Sequence, residues 1–299
     1  MNIRIIPRLD IKGPNLVKGI NFEGLRVLGR PEKFARYYYE NGADELIYMD
    51  AVASLYNRNS LTDIVERTAR EIFIPLTVGG GLRSLDDIRQ VLRAGADKVS
   101  LNTAAIANPD IIKQAAHAFG SSTVLISIEA LRKPDGTYEA CVDFGRELTG
   151  VDVFKWASKV VDLGAGELMV TSIDREGTGK GFDLELISRI ADSVSVPVIA
   201  AGGAGKAEDI YAAVYEGRSQ AVAIASILHY YACDKPGMTD SEYSEEGNTE
   251  FLHRKIGFNK IKGCTIEKIK TYLYSKNVTC RMTPGICDEV ETPQGKVNV

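Results

Sequence analysis

The sequence is poor in the residues that mark several common chemistries. In 299 residues it has three histidines, one tryptophan and five cysteines. The histidines (His117, His229, His253) are scattered, and the cysteines (Cys141, Cys233, Cys264, Cys280, Cys287) form no CxxC pair. That excludes the usual zinc-site spacings, so neither a metal nor a cofactor is expected. An odd number of unpaired cysteines points to a reduced, cytoplasmic protein. No Walker loop and no GxSxG elbow occurs. The stretch DREGTGKG (174–181) has a phosphate loop's composition without its spacing. No window reaches the roughly 18 apolar residues of a membrane span. Arg4, Arg8 and Asp10 interrupt the apolar N-terminal run, which is unlike a signal peptide. Charge of one sign is missing too: 36 basic residues face 40 acidic ones, a net charge of −4. No global field invites nucleic acid.

What is present is alternation. β-rich runs recur at 3–9, 45–50, 75–78, 97–101, 123–129, 167–172, 197–201 and 220–224. Between them lie segments of helical spacing, near 32–41, 60–72, 84–94, 108–118, 151–163, 183–194, 206–216 and 265–276. In 84–94, Leu85, Ile88, Val91 and Leu92 share a face, Ser84 is placed to cap and Gly95 to stop the helix. Eight strand–helix units predict a parallel sheet, either open and doubly wound or closed into a barrel. An internal repeat favours closure. Shifting the chain by 122 residues lays GADEL (42–46) on GAGEL (164–168) without a gap. The same shift lays Pro75, Gly80, Gly81, Asp87, Ile88 and Gly95 on Pro197, Gly202, Gly203, Asp209, Ile210 and Gly217. Near 218–220 the second half gains one residue. Two similar halves make one α/β fold, a single (β/α)8 TIM barrel with a two-fold half-barrel repeat.

In such a barrel the strand C-termini and the loops after them build the site. VGGGLRS (78–84) follows the third strand and AAGGAGK (200–206) the seventh. Glycines at these places let backbone N–H groups approach an anion at a helix start, although tight turns alone also call for them. Two symmetric turns suggest two phosphate sites and a long substrate carrying phosphate at both ends. Asn102–Thr103 and Ala225–Ser226, after strands four and eight, would complete them. Asp10 and Glu129 are expected to end strands one and five and to face each other across the mouth, a pair suited to acid–base work. The plainer reading is that each caps a strand or pairs with a nearby base. Asp50 and Asp174 make a second symmetric pair, for which solvated loop positions serve equally well. For His229, just past strand eight, a surface or packing role is expected.

The segments IPRLDIK (6–12), VKGINF (17–22), GADELIYMD (42–50), VGGGLRS, GADKVSLNTAAI (95–106), TSIDREGTGKGFD (171–183) and PVIAAGGAG (197–205) together resemble one family. It is the cyclase subunit of imidazole glycerol phosphate synthase, the HisF barrel of histidine biosynthesis. The resemblance covers about 1–231 and 264–283. It implies a heterodimer with a HisH-type glutaminase, whose ammonia reacts with phosphoribulosyl-formimino-aminoimidazole carboxamide ribotide. The products would be imidazole glycerol phosphate and aminoimidazole carboxamide ribotide. It implies Asp10 as general acid–base group, Glu129 as the second catalytic carboxylate, and Lys18 on a mobile loop after strand one. It places one phosphate at Gly81, Asn102 and Thr103, the other at Gly177, Gly203, Ala225 and Ser226, with Asp50, Thr171 and Asp174 among the substrate-binding residues. At the other end of the barrel it implies an ammonia gate of Arg4, Glu45, Lys98 and Glu167, with Asp97 near the glutaminase.

Two positions depart from that family. Its second carboxylate is Asp, where this chain has Glu129. A small residue, often Cys, stands where this chain has Arg8. Positions 8 and 10 share a strand face, so Arg8 is expected to point at Asp10. These departures keep two alternatives in view. One is a related barrel that passes ammonia to a sugar amidotransferase making acetamidino groups for surface polysaccharide. The other is a non-catalytic scaffold that only activates a glutaminase.

A barrel of this type needs about 250 residues. The domain reading is a barrel over 1–283, with an insert at 232–263 before the last helix, and a tail over 284–299. The insert is acidic, then basic, and is expected to cover the mouth or dock an acceptor protein.

Overall fold

A computed structural model of the chain describes residues 2–53, 61–239, 248 and 261–282. Most of the insert and the whole tail therefore lie outside the described residues. The strands are β1 (Arg4–Lys12), β2 (Asn15–Ile20), β3 (Glu23–Gly29), β4 (Leu46–Asp50), β5 (Leu76–Gly79), β6 (Lys98–Leu101), β7 (Val124–Arg132), β8 (Tyr138–Val142), β9 (Glu147–Asp152), β10 (Glu167–Ser172), β11 (Val198–Ala201) and β12 (Ala221–Ile224). The helices are α1 (Pro31–Glu40), α2 (Thr62–Ala69), α3 (Leu85–Arg93), α4 (Thr103–Ala107), α5 (Asp110–Phe119), α6 (Val153–Asp162), α7 (Leu184–Ser193), α8 (Ala207–Tyr215), α9 (Ser226–Cys233) and α10 (Ile266–Ser275).

Eight strands pair in the order β10–β11–β12–β1–β4–β5–β6–β7, and β10 pairs β7 to close the ring. Every pairing around the ring is parallel. It is a (β/α)8 barrel, as the repeat predicts. Side chains alternate along each strand, so one set packs under the helices and the other fills the barrel. The inner set includes Ile6, Ile47, Met49, Leu125, Met169 and Ile199. The outer set, with Ile5, Leu9, Leu46, Tyr48 and Leu168, meets the helices in one large core. Full burial of each such aliphatic side chain stabilises by about 1.5–3 kcal/mol.

The repeat is legible in hydrogen bonds. Asp87 Oδ2 accepts from the N–H groups of Arg83 and Ser84, both at 2.9 Å. Asp209 Oδ2, 122 residues on, accepts from Gly205 and Lys206 at 2.9 and 3.1 Å. Asp97 accepts from Leu76 N at 2.8 Å, and Gln220 does the same for Val198 at 2.7 Å. That second pair is offset by the one residue the latter half gains. Gly80 and Gly202 also correspond, with φ of +97° and +83°. A Cβ on Gly80 would lie 2.5 Å from Asp50 O, and one on Gly202 2.7 Å from Ser172 O.

Four strands were not expected. β2–β3 and β8–β9 are antiparallel hairpins that continue β1 and β7 past the barrel rim. Asp10 and Glu129 therefore sit inside strands that run on to Lys12 and Arg132, rather than ending them. The short helix α4 and helix α9 were also missed. The hairpin turns correspond by the same shift: Asn21–Phe22 and Asp143–Phe144 all have φ between 51° and 64°. Phe22 and Phe144 meet with ring centroids 4.3 Å apart, so the two hairpins join over the mouth.

Gly80→Ala and Gly202→Ala are each expected to destabilise by more than about 2 kcal/mol, from left-handed backbone strain plus overlap with a carbonyl. Gly136, with φ +83° and nothing within 4 Å of an added Cβ, should lose only about 1 kcal/mol on the same change. Urea denaturation of the three variants checks this; equal losses in all three would contradict the close-approach account.

Candidate active site

The inward side chains of β1 run from Arg4 at one end of the barrel, through Ile6, to Arg8 and Asp10 at the other. β7 carries Leu125, Ser127 and Glu129 inward, and β10 carries Glu167, Met169 and Thr171. The parallel register sets Thr171 beside Glu129 and Met49 beside Asp10. The charged layers are thus separated by an apolar one.

In the mouth, Arg8 is buried and its side chain does point at Asp10: Nε donates to Oδ1 at 2.9 Å. Its Nη1 donates to Thr171 Oγ1 at 3.2 Å, and its guanidinium lies 5.2 Å from the Phe22 ring centroid. Nη2 is buried without a partner. Burial opposes the charge, but Asp10, Glu176 and Glu129 together hold the guanidinium above its ordinary pKa. Lys18 is not on an open loop. It lies in β2, 2% exposed, because the hairpin folds back on β1 with Val17 opposite Asp10. Its ammonium pairs with Glu176 and stands 3.8 Å from Asp10 Oδ2. Burial works against that charge too, and Glu176 and Asp10 keep its pKa above the ordinary lysine value. Asn21 fastens the hairpin to the far side, N to Glu176 O at 2.8 Å and Nδ2 to Ile173 O at 2.6 Å.

Glu129 has the opposite environment. Burial raises its carboxyl to about 7, against the opposing pull of Arg8 and of a Gly145 N–H hydrogen bond. Its Oε2 has no partner. It lines a cavity of about 270 Å³ together with Asp50, Gly81, Asn102, Thr103 and Phe144. Asn102 Nδ2 donates to Cys141 O at 3.2 Å, leaving its Oδ1 buried and unpartnered, and Thr103 Oγ1 accepts from Asp143 N at 3.1 Å. The second glycine turn, with Gly177, Gly203, Ala225 and Ser226, lines a separate narrow cleft with Arg8 and Glu176. Asp174 lies elsewhere. It accepts from Arg132 N at 2.9 Å and borders an outer groove with Arg175 and Lys180.

His229 is fully buried. Nε2 faces the Arg8 carbonyl at 3.0 Å and so donates; Nδ1 accepts from Tyr38 O–H at 2.6 Å. Burial first, then Lys18, push its pKa down to about 3. It props β1 beneath the mouth, a packing role. At the opposite end, Arg4 pairs with Glu45 at 2.7 Å and with Glu167, and Lys98 lies 3.0 Å from each of the same two carboxylates. The four close a ring. Sequence reasoning missed Glu176, Phe22 and Phe144. Glu176 was hidden in a glycine-rich loop, and only the matched Asn21–Phe22 and Asp143–Phe144 dipeptides could have signalled the turns.

Among the described residues no group of His, Cys, Asp and Glu could hold a metal ion, and no helix is long and apolar enough to cross a membrane. Fold and site together define an α/β barrel of the class that presents two glycine turns and buried carboxylates at one mouth. The chain belongs to the histidine biosynthesis protein family, whose sequence model matches residues 4–234, and within it to the HisF group. The imidazole glycerol phosphate synthase subunit HisF of Legionella pneumophila is 59% identical over 208 residues, 70% of this chain and 98% of that protein. Its counterpart in Alkaliphilus metalliredigens is 47% identical over 238 residues, 80% of this chain and 94% of the relative. That of Methanocaldococcus jannaschii is 48% identical over 246 residues, 76% and 90%.

Removing one partner of a buried ion pair costs about 3–5 kcal/mol, so Lys18→Met should lower stability by that order in urea denaturation. A loss under about 1 kcal/mol would show that the mouth network is not stabilising. Two groups set opposite pH slopes. His229, depressed from 6.5 to about 3, contributes stability above 6.5 that is lost as pH falls towards 3. Glu129, raised from 4.5 to about 7, contributes below 4.5 and loses that contribution as pH rises through 7. His229→Gln should remove the first slope and leave the second, which denaturation across pH 3–8 measures.

Proposed function

We infer that the chain is the cyclase subunit of an imidazole glycerol phosphate synthase, working in histidine biosynthesis. It combines ammonia with phosphoribulosyl-formimino-aminoimidazole carboxamide ribotide and releases imidazole glycerol phosphate and aminoimidazole carboxamide ribotide, the ribulosyl ketone oxygen leaving as water. The observation that carries this is the pair of two-fold related glycine turns at one mouth, one lining a cavity with Glu129 and the other a cleft with Arg8, the partner of Asp10. A substrate with a phosphate at each end matches that arrangement. One phosphate sits at Gly81, Asn102 and Thr103, beside Asp50. The other sits at Gly177, Gly203, Ala225 and Ser226, where α9 begins and its N–H groups favour an anion. Thr171 borders the reacting centre. Asp174 reaches the substrate only if its contact with Arg132 is exchanged.

The carboxyls of the mouth supply the acid–base chemistry that ring closure and bond cleavage need, a contribution of order 10²–10⁴ in rate. A HisH-type glutaminase docks on the far end near Asp97, and ammonia enters through the Arg4, Glu45, Lys98 and Glu167 ring. One observation favours a second reading. Arg8 paired to Asp10 suits a barrel that only passes ammonia on to a sugar amidotransferase. Purified protein, an ammonium salt and the formimino ribotide are expected to give imidazole glycerol phosphate. No product, with glutaminase activation intact, would overturn the cyclase reading in favour of the second.

A further inference from the structure

Among the described residues a buried cluster in the mouth sets two cations, Arg8 and Lys18, against three carboxyls, Asp10, Glu176 and Glu129. The pairing is uneven. Asp10 receives Arg8 Nε at 2.9 Å on one oxygen and faces Lys18 at 3.8 Å on the other. Glu176 takes the Lys18 ammonium. Among the described residues Glu129 has no cation in salt-bridge contact, and its Oε2 is unpartnered. Position matters as much as pairing. Glu129 lines the cavity at the first glycine turn, whereas Asp10 lines neither that cavity nor the narrow cleft at the second. Arg8 cannot easily release Asp10, since it is held by Thr171, roofed by Phe22 and, through its carbonyl, by His229.

We propose that Arg8 is a positioning residue that locks Asp10 into a fixed ion pair and leaves Glu129 as the carboxyl that exchanges protons with the ligand. This rests on the cyclase reading of the mouth. The step is proton-neutral: the Glu129 carboxylate takes a proton from an N–H or C–H of the substrate and, as the acid, returns it to the departing nitrogen. Glu129 lines the cavity at the first glycine turn, on a side chain one methylene longer than that of Asp. The groups facing Glu129 are Arg8 and Asp10 of β1, Thr171 of β10, Cys141 of β8, and Asp143 with the Gly145 N–H of the β8–β9 turn. Burial outweighs Arg8 among them and sets the carboxyl near 7, suited to both giving and taking a proton at neutral pH.

The test combines pH profiles of ammonia-dependent turnover with carbon-13 NMR titration of labelled glutamate side chains. The wild type should show a limb near 7 in kcat and a glutamate titrating there. Glu129→Gln should abolish both and lower kcat by about a hundredfold or more with little change in KM. Asp10→Asn should lower kcat but keep the limb in place. Arg8→Lys should preserve the profile, whereas Arg8→Met should free Asp10 to exchange protons, so that Arg8→Met combined with Glu129→Gln keeps more turnover than Glu129→Gln alone. Should Arg8→Met fail to fold, Arg8→Lys and the titration still decide. Loss of the limb in Asp10→Asn but not in Glu129→Gln, or Glu129 titrating in the ordinary carboxylate range, would overturn the assignment. A wild type without turnover in which Glu129 still titrates near 7 would overturn the cyclase reading instead, leaving Glu129 as the proton-exchanging group of the mouth.

Discussion

The parallel pairing of β7 with β10, six residues from Glu167 opposite Leu125 to Ser172 opposite Ala130, is the contact that closes the sheet. An open sheet of the same strands would leave two unpaired edges and one exposed apolar face. Closure removes both edges and stacks the inward side chains in layers whose depth is fixed by register. It is also what assembles the charged ring at the far end. Arg4, Glu45, Lys98 and Glu167 come from four separate positions around the barrel, and they meet only because the ring is closed. There, two cations balance two carboxylates. At partial exposure the balance contributes little stability, but it lets a charged layer cap an apolar one without leaving a group unpaired.

The mouth is built differently. Its charges are more deeply buried, and the hairpins that bury them come from the chain itself. Lys18 enters the mouth because β2 returns along β1. Glu176 enters because the loop after β10 is tied to the β2–β3 turn through Asn21. Phe22 and Phe144 then shield the cluster from water, which strengthens each attraction inside and raises the penalty for any group without a partner. Lys18 and Arg8 are held charged by the acids around them. Glu129, lacking such a cation in contact, is the group whose protonation is left open.

Much of this frame was legible in the sequence. The eight barrel strands, Ser84 as a cap and the glycine turns follow from alternation, capping chemistry and a gapless internal repeat, all of which are local. Arg8 pointing at Asp10 follows from strand alternation alone. The hairpins were missed although Asp135–Gly136 marks the β7–β8 turn, because NLVKGI and YEACV are short and mixed in pattern, and the outer turns at Asn21–Phe22 and Asp143–Phe144 carry no Asn-Gly or Asp-Gly signal. Their turns put phenylalanine at positive φ, a conformation that tertiary packing of Phe22 on Phe144 stabilises and local propensity does not. Lys18 and Glu176 were opaque for the same reason: 158 residues separate them, and nothing local marks a charged residue for burial. Asp174 follows its strand as expected, and the turn sets its carboxylate on the Arg132 N–H beside an outer groove.

The repeat also shows where the two halves part company. β4 and β10 correspond by the 122-residue shift, and Asp10 pairs in register with Met49 as Glu129 pairs with Thr171. Asp10 and Glu129 are therefore two-fold equivalents, and two residues earlier on the same strands Arg8 is the equivalent of Ser127. One position holds a guanidinium, the other a buried hydroxyl with no hydrogen-bond partner. The scaffold presents the two carboxyls from equivalent backbone positions, and the residue beneath each is one of the features that distinguish them. A cation beneath Asp10 holds its carboxyl by direct contact; a small hydroxyl beneath Glu129 supplies no such contact. The side chains at positions 8 and 127 thus divide a symmetric pair into a carboxylate held in an ion pair and one without a cation in contact among the described residues, and do so with no change in the backbone that presents them.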